Sequence, residues 1–219
     1  MRRLTVVILL VLGLIFSVSV AQAQFTGQLS TARTLPVGGY DLGGYFGVYE
    51  DAFAFFGQFR GGVVEYLDLG MKLGVISYDP SGLEGSGEGV ILGGDLKYQI
   101  LDAELKDPFD LSVGAGLEFF STSHNDDNYN SFSFGANFCG SKDFALAKGR
   151  VISPYGRLNF RGQREPKDEN RPWDRKETNF KPGLNPGVSL KVSNYVQIIG
   201  ELQFDDNFGF IGGLTYSFY

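Results

Sequence analysis

In ten segments of this chain, the residue at every second position is uncharged. This pattern restricts the fold more than any other feature. Period-two alternation predicts β-strands. Each segment is long enough for a tilted membrane-spanning strand, which needs about 9–11 residues. We therefore predict ten strands, each with one face in contact with lipid. The segments are 40–49, 52–60, 66–77, 89–100, 109–120, 131–140, 151–161, 180–192, 195–204 and 207–218.

The predicted lipid-facing positions carry no Asp, Glu, Lys or Arg in any of the ten segments. Arg or Lys on the lipid face costs ~2–4 kcal/mol at the middle of the bilayer, so a membrane barrel must keep charge off one face of every strand. Aromatic residues also lie near both ends of the segments, as in the two aromatic girdles of membrane barrels. A soluble β-sandwich would not carry so many Gly and aromatic residues on its solvent face.

The last segment carries a resemblance to a known class of proteins. Its apolar side chains alternate with small or polar residues up to Phe218, and Tyr219 follows. This stretch resembles the closing strand of bacterial outer-membrane β-barrels, except that the outward aromatic residue is penultimate. The resemblance identifies the class and no particular family. The predicted fold class is all-β, a transmembrane antiparallel up-and-down β-barrel of ten strands.

The resemblance also implies where the protein lies and what surrounds it. The expected location is the outer membrane of a Gram-negative-type bacterium. The expected partners are outer-membrane lipid and lipopolysaccharide, and the barrel assembly machinery during insertion. With 19 basic and 25 acidic residues, the chain is acidic, so nucleic acid is not an expected partner.

The N-terminus has the pattern of a secretory signal peptide. Arg2 and Arg3 precede an apolar run, and Ala21-Gln22-Ala23 matches a cleavage site. We predict a signal peptide at 1–23, a periplasmic N-terminal lead-in at 24–39 and the outer-membrane β-barrel at 40–219. The lead-in contains one further candidate for a short strand, Thr26–Thr34.

The connections between segments predict the orientation of the barrel. The longest and most polar connections all fall at one end, and long loops of bacterial barrels lie outside the cell. With ten strands, both termini then lie in the periplasm. Cys139 is the one cysteine, so no disulfide can form within the chain, and the sequence predicts no cofactor and no metal site.

The opposite positions of the strands predict the lining of the lumen. Ten strands enclose little more space than the eight-stranded barrel that side chains fill completely. We therefore predict a lumen largely filled by a polar network, with a structural or small-solute passage role. Its mixed charge argues against strong ion selectivity. The residues predicted to line the lumen or a pore are Asp41, Arg60, Asp68, Lys72, Asp95, Lys97, Asp110, Glu118, Arg157, Arg161, Lys191 and Glu201.

Two loops carry alternative hypotheses. His124 is the one histidine and lies among Ser and Asp residues, which leaves open a hydrolase at the lipid rim. The loop 161–177 mixes charges around Trp173 and could contact lipopolysaccharide phosphates. Because neither loop holds a recognisable catalytic motif, the prediction is that the protein is not an enzyme. A soluble periplasmic β-barrel that binds an apolar ligand is the other alternative.

Overall fold

The computed structural model describes residues 27–50, 52–78, 87–124, 127–164, 178–205 and 208–219. Eleven strands run through these ranges, and ten of them form the barrel wall. Two short 3₁₀ helices, Ala103–Leu105 and Ala147–Gly149, lie in connections at one end. The strands are β1 Tyr40–Tyr49, β2 Ala52–Val64, β3 Leu67–Tyr78, β4 Gly87–Leu101, β5 Asp110–His124, β6 Asp127–Ser141, β7 Phe144–Ala145, β8 Val151–Arg164, β9 Thr178–Lys191, β10 Val196–Phe204 and β11 Phe208–Phe218.

The wall is a closed antiparallel sheet in which neighbouring strands follow the order of the chain. The two-residue strand β7 pairs only with the start of β8, and β6 pairs directly with β8 to continue the wall. The circle closes where β1 pairs with β11, from Tyr40 opposite Phe218 to Tyr49 opposite Gly209. This arrangement confirms the predicted ten-stranded, up-and-down barrel.

The aromatic end of the chain lies at the seam between the first and last strands. The rings of Tyr40 and Phe218 stack with their centroids 4.7 Å apart, and Tyr216 lies at the same distance from Phe218. We call this end of the barrel, where β1 begins and β11 ends, the terminal end, and the opposite end the loop end. At the loop end, several strands are longer than the alternation predicted, among them β5 and β6.

The two faces of the wall separate as predicted. Apolar side chains such as Leu73 and Met71 are 62% and 61% exposed on the outside, whereas charged side chains such as Arg60 and Lys97 point inward and are buried. Not all of the inner wall is polar, because Tyr49, Phe56 and Ile76 are buried in the half of the lumen near the loop end. Within the described ranges, no helix is both long and apolar enough to cross a membrane.

The proline residues of β9 coincide with an interruption of the wall. Pairing of β9 with β10 runs from Lys191 to Gly187 and resumes at Leu184, so Pro186 and Asn185 have no partner in this ladder. Since proline lacks a backbone N–H, it is accommodated where a ladder hydrogen bond is already missing. The interruption leaves the side chain of Asn185 buried beside β10.

Residues 27–35, which we call the lumen segment, lie inside the barrel. The prediction had placed them in a lead-in outside it, and this placement is corrected. The segment forms no strand, so the predicted strand at Thr26–Thr34 is wrong over its described part. Gln28, Leu29 and Ala32 are buried at 2%, 1% and 0% exposure. The physical reason is that the charged wall supplies hydrogen-bond partners for the main chain of the segment, so that it can be removed from water.

The inside-outside assignment predicts unequal costs for the same substitution on the two faces. Leu73 lies near the middle of its strand, between Gly57 and Leu92 of the neighbouring strands. Leu73→Arg should destabilise the barrel by ~2–4 kcal/mol because the charge meets lipid. Gln197→Arg at the inner terminal end is the control and should cost less than ~1 kcal/mol. The measurement is urea unfolding in lipid vesicles, followed by heat-modifiable gel mobility, and equal costs would contradict the assignment.

Candidate functional site

The residues predicted to line the lumen all lie on the inner face of the wall. Asp41 and Lys191 are half-buried at the terminal end, and the side chain of Asp95 is 4% exposed. Their role in passage stays a prediction, but their position inside the barrel is a feature of the structure. The remaining nine are buried: Arg60, Asp68, Lys72, Lys97, Asp110, Glu118, Arg157, Arg161 and Glu201.

Four ion pairs bring eight of these residues together across neighbouring or more distant strands. Lys72 Nζ lies 3.0 Å from Glu118 Oε1, and Lys97 Nζ lies 3.1 Å from Asp68 Oδ2. The other two pairs are Arg60 with Asp95 and Arg157 with Glu201, at 2.5 Å and 2.9 Å. All eight side chains are at most 4% exposed. Each charge is therefore removed from water together with its opposite, which limits the cost of desolvation.

Glu201 on β10 is the most heavily hydrogen-bonded acid of the lumen. Its Oε2 accepts from Tyr155 Oη at 2.8 Å and from Arg157 Nη1 at 2.9 Å. Its Oε1 accepts from Asn185 Nδ2 and from Gln203 Nε2, both at 3.1 Å. Both carboxylate oxygens are thus satisfied without water, and β8, β9 and β10 are connected through one side chain.

The lumen segment binds this wall mainly through its main-chain carbonyl groups. Lys97 Nζ donates to the carbonyl oxygens of Thr31 at 3.2 Å and Arg33 at 2.6 Å. Arg157 Nη2 donates to the carbonyl of Ser30 at 2.8 Å. Lys72 donates to the carbonyl of Gly27. The cations of three ion pairs therefore bind the segment as well as their own acids.

Main-chain N–H groups of the lumen segment donate to acceptors on the wall. The N–H of Ala32 donates to Ser141 Oγ at 3.1 Å. The N–H groups of Thr34 and Leu35 donate to Gln99 Oε1 at 2.8 Å and to Asp68 Oδ1 at 2.9 Å. The wall therefore holds the main chain of the segment through both donors and acceptors.

Side chains of the segment add a few specific contacts. Gln28 Nε2 donates to the carbonyl of Leu96 at 2.8 Å. Gly114 on the wall leaves room for it, since a Cβ there would lie 2.5 Å from Gln28 Nε2. Cys139 is 1% exposed on the inner face, and its Sγ lies 4.0 Å from the carbonyl oxygen of Ser30. Cys139 is therefore next to the segment.

A cavity of about 450 Å³ lies between the lumen segment and the terminal end. Half-buried Asp41 and Lys191 both line it, so its surface carries both signs of charge. Arg33 of the segment reaches this mouth and lies 3.0 Å from Glu104 Oε1 and 3.6 Å from Asp143 Oδ2. These ion pairs are partly exposed, so they stabilise the segment less than the buried contacts do.

Sequence reasoning missed the lumen segment because its composition resembles that of an ordinary polar linker. It contains one charged residue, Arg33, and no alternation that would place it against a wall. The glycines on the inner face were the available signal for a segment inside the barrel. A glycine has no side chain, so it leaves space in the lumen that another group must fill. At Gly70 the filler is the wall itself, where a Cβ would lie 2.6 Å from Asp95 Oδ2. At Gly114 the filler is the segment.

Several predicted features lie outside the described residues. The signal peptide at 1–23 is one, and the loop residues 165–177, including Trp173, are another. His124 ends β5, where its backbone pairs with Asp127, but its side chain is not among those described. The hydrolase and lipopolysaccharide hypotheses for these two loops therefore stay untested.

No protein-family model matches this chain, and no curated protein matches it. Solved structures of outer-membrane barrels do match. The β domain of the Bordetella autotransporter BrkA is 12% identical, with a TM-score of 0.53, over 83% of this chain and 99% of that domain. At this identity the likeness establishes the fold alone. It confirms the predicted barrel fold, which outer-membrane β-barrels share, and identifies no specific family.

Two further structures match with TM-scores below one half and carry no argument about function. An outer membrane channel from Pseudomonas putida F1 is 14% identical, with a TM-score of 0.42, over 84% of this chain and 97% of that one. LpxR from Salmonella typhimurium is 10% identical, with a TM-score of 0.46, over 82% of this chain and 99% of that one.

The prediction that the protein is not an enzyme is corrected. The same fold can carry unrelated functions, enzymes included, so the barrel does not support that exclusion. The absence of a recognisable motif was therefore no ground for excluding enzymes. The likeness assigns no reaction to this chain.

The Arg157–Glu201 pair gives a test of the lumen network. Arg157→Met should destabilise the barrel by ~3–5 kcal/mol because it leaves a buried carboxylate without its cation. The double variant Arg157→Met/Glu201→Gln should lose less, since no uncompensated charge remains. Lys191→Met, at the half-buried mouth, is the control and should change stability by less than ~1 kcal/mol. Urea unfolding in vesicles measures all three, and a double variant less stable than the single would contradict the pairing.

Proposed function

We propose that this outer-membrane barrel is a narrow passage for small polar solutes that its own lumen segment closes at rest. The observation that carries the proposal is the way the segment is held. It occupies the lumen without pairing as a strand, through hydrogen bonds from Lys72, Lys97 and Arg157 to its carbonyl groups. A segment held in this way can leave without breaking the wall, because closure depends on the pairing of β1 with β11.

The cavity at the terminal end supports the same proposal. It gives a solute access as far as the lumen segment, and its lining includes Arg33, Arg60 and Lys97 beside Asp41 and Glu104. Mixed charge of this kind suits uncharged or zwitterionic solutes and gives weak ion selectivity. Movement of the segment would extend this cavity into the space that residues 27–35 occupy.

The surroundings of the barrel follow from its class and are part of the proposal. The signal peptide at 1–23 would direct the chain to the periplasm, and the barrel assembly machinery would insert it. The terminal end would face the periplasm and the loop end the outside. The exposed apolar band would contact outer-membrane lipid, and the loop 161–177 would contact lipopolysaccharide.

A structural role is the second candidate, and one observation favours it. Four ion pairs in the described part of the lumen are buried, so the interior is well suited to a permanently closed barrel. In this case the lumen segment would be a fixed part of the interior. The two roles differ in whether movement of the segment changes conductance.

The sole cysteine provides a test that separates them. Ser30→Cys places a thiol on the residue whose carbonyl oxygen lies 4.0 Å from Cys139 Sγ in the wild type. Oxidation should form a disulfide that fixes the segment in the lumen. In planar bilayers we expect infrequent openings of low conductance for the reduced protein. We expect none for the oxidised protein and recovery on addition of a reductant.

Ser30→Cys/Cys139→Ser is the matched control and should not respond to oxidation. Arg33→Glu should increase the frequency of opening, because it replaces attraction to Glu104 and Asp143 at the mouth with repulsion. Openings that persist with the disulfide formed would contradict gating by the segment. A complete absence of conductance in every variant would favour the structural role.

A further inference from the structure

The lumen wall contacts the lumen segment largely through main-chain groups of the segment. Hydrogen bonds to main-chain groups of the segment involve Gly27, Ser30, Thr31 and Arg33 as acceptors. Groups of this kind are present in every polypeptide. A wall that binds them binds a peptide with little regard to its side chains, as strand-addition sites do at sheet edges.

The wall also recognises main-chain N–H groups of the segment. Ala32, Thr34 and Leu35 donate through their N–H groups to Ser141, Gln99 and Asp68. The three acceptors are on three different strands, β6, β4 and β3. The wall therefore offers both donors and acceptors to the main chain of the segment.

The charge of the wall narrows the class of ligand. The cations that bind the carbonyl groups are already paired with Glu118, Asp68 and Glu201. An anionic ligand would meet these carboxylates at close range, which costs free energy in a buried site. A peptide main chain offers partial charges of both signs and no net charge, so it fits the paired wall.

Two positions of the segment limit which peptides fit. Gly27 has φ of +68°, a left-handed backbone conformation that glycine adopts without steric cost. Ala32 is fully buried, so a larger side chain would displace the wall. A small residue is therefore needed at each of the two positions.

We propose that the inner wall formed by Lys72, Lys97, Arg157, Gln99, Asp68 and Ser141 is a binding site for the main chain of a polypeptide without acidic side chains. Its own residues 27–35 occupy this site at rest. The inference goes beyond passage of small solutes, because it assigns a ligand class to the wall and does not depend on conductance.

Binding is tested with a peptide that has the sequence of residues 27–35, blocked at both ends and labelled with a fluorophore. The protein is the full chain with Leu29→Asp/Ala32→Asp, which puts two charges into buried positions and should expel the segment. Fluorescence anisotropy in detergent micelles should show saturable binding. Binding to the wild type should be at least about tenfold weaker, because its own segment competes.

The control peptide is N-methylated at the positions of Ala32, Thr34 and Leu35. It keeps every side chain and loses the three donors, so it should bind at least about tenfold more weakly. A peptide with Ala at the positions of Ser30 and Thr31 keeps the main chain and should bind within about threefold of the original. Equal binding of the N-methylated peptide would overturn recognition through the main chain.

A second measurement covers the case in which the double variant does not fold. In Ser30→Cys, an excess of the unlabelled peptide should slow formation of the disulfide with Cys139, because the peptide displaces the segment from the same wall. The N-methylated peptide should leave the rate unchanged. If neither peptide changes the rate, the wall is not a peptide site. This outcome would leave the conductance test of the passage unaffected.

Discussion

The closure of the sheet on itself is the constraint on which the rest of this structure depends. In lipid, a backbone N–H or C=O without a partner costs several kcal/mol, so a sheet can cross the membrane only when its first and last strands pair. β1 and β11 pair over their full common length, and Tyr40 stacks on Phe218 at the seam. Once the sheet is closed and its outside meets lipid, the charges of the membrane-spanning part of the strands must lie in the lumen.

The lumen segment follows from that concentration of charge. Four ion pairs neutralise eight charges in the described part of the lumen, but Lys72, Lys97 and Arg157 keep N–H groups that one carboxylate cannot use. Main-chain carbonyls of residues 27–35 accept hydrogen bonds from these groups. A polypeptide is a suitable filler because it brings acceptors for the cations and donors for Asp68 and Gln99 together. The segment can be displaced without opening the wall, since none of these contacts is a hydrogen bond between two strands.

The failed exclusion of enzymes has a physical explanation. Catalytic groups of a barrel can come from several strands or loops that are distant in sequence, so the lack of a local motif at His124 excludes no activity. The fold by itself does not separate transport, structural and catalytic roles. The evidence about function in this chain comes from the lumen, where the wall and the segment meet.

The sequence by itself determined the strands, their number and the face that each turns to lipid. It could do so because lipid excludes charge from every second residue, which leaves a pattern that is local in the chain. The inward position of residues such as Lys97 and Glu201 followed from the same pattern. Only the tertiary structure decided which charges pair, because partners such as Lys72 and Glu118 are on strands that come together through closure. It also decided that residues 27–35 lie inside the barrel, since their partners belong to the assembled wall and leave no periodic signal in the segment itself.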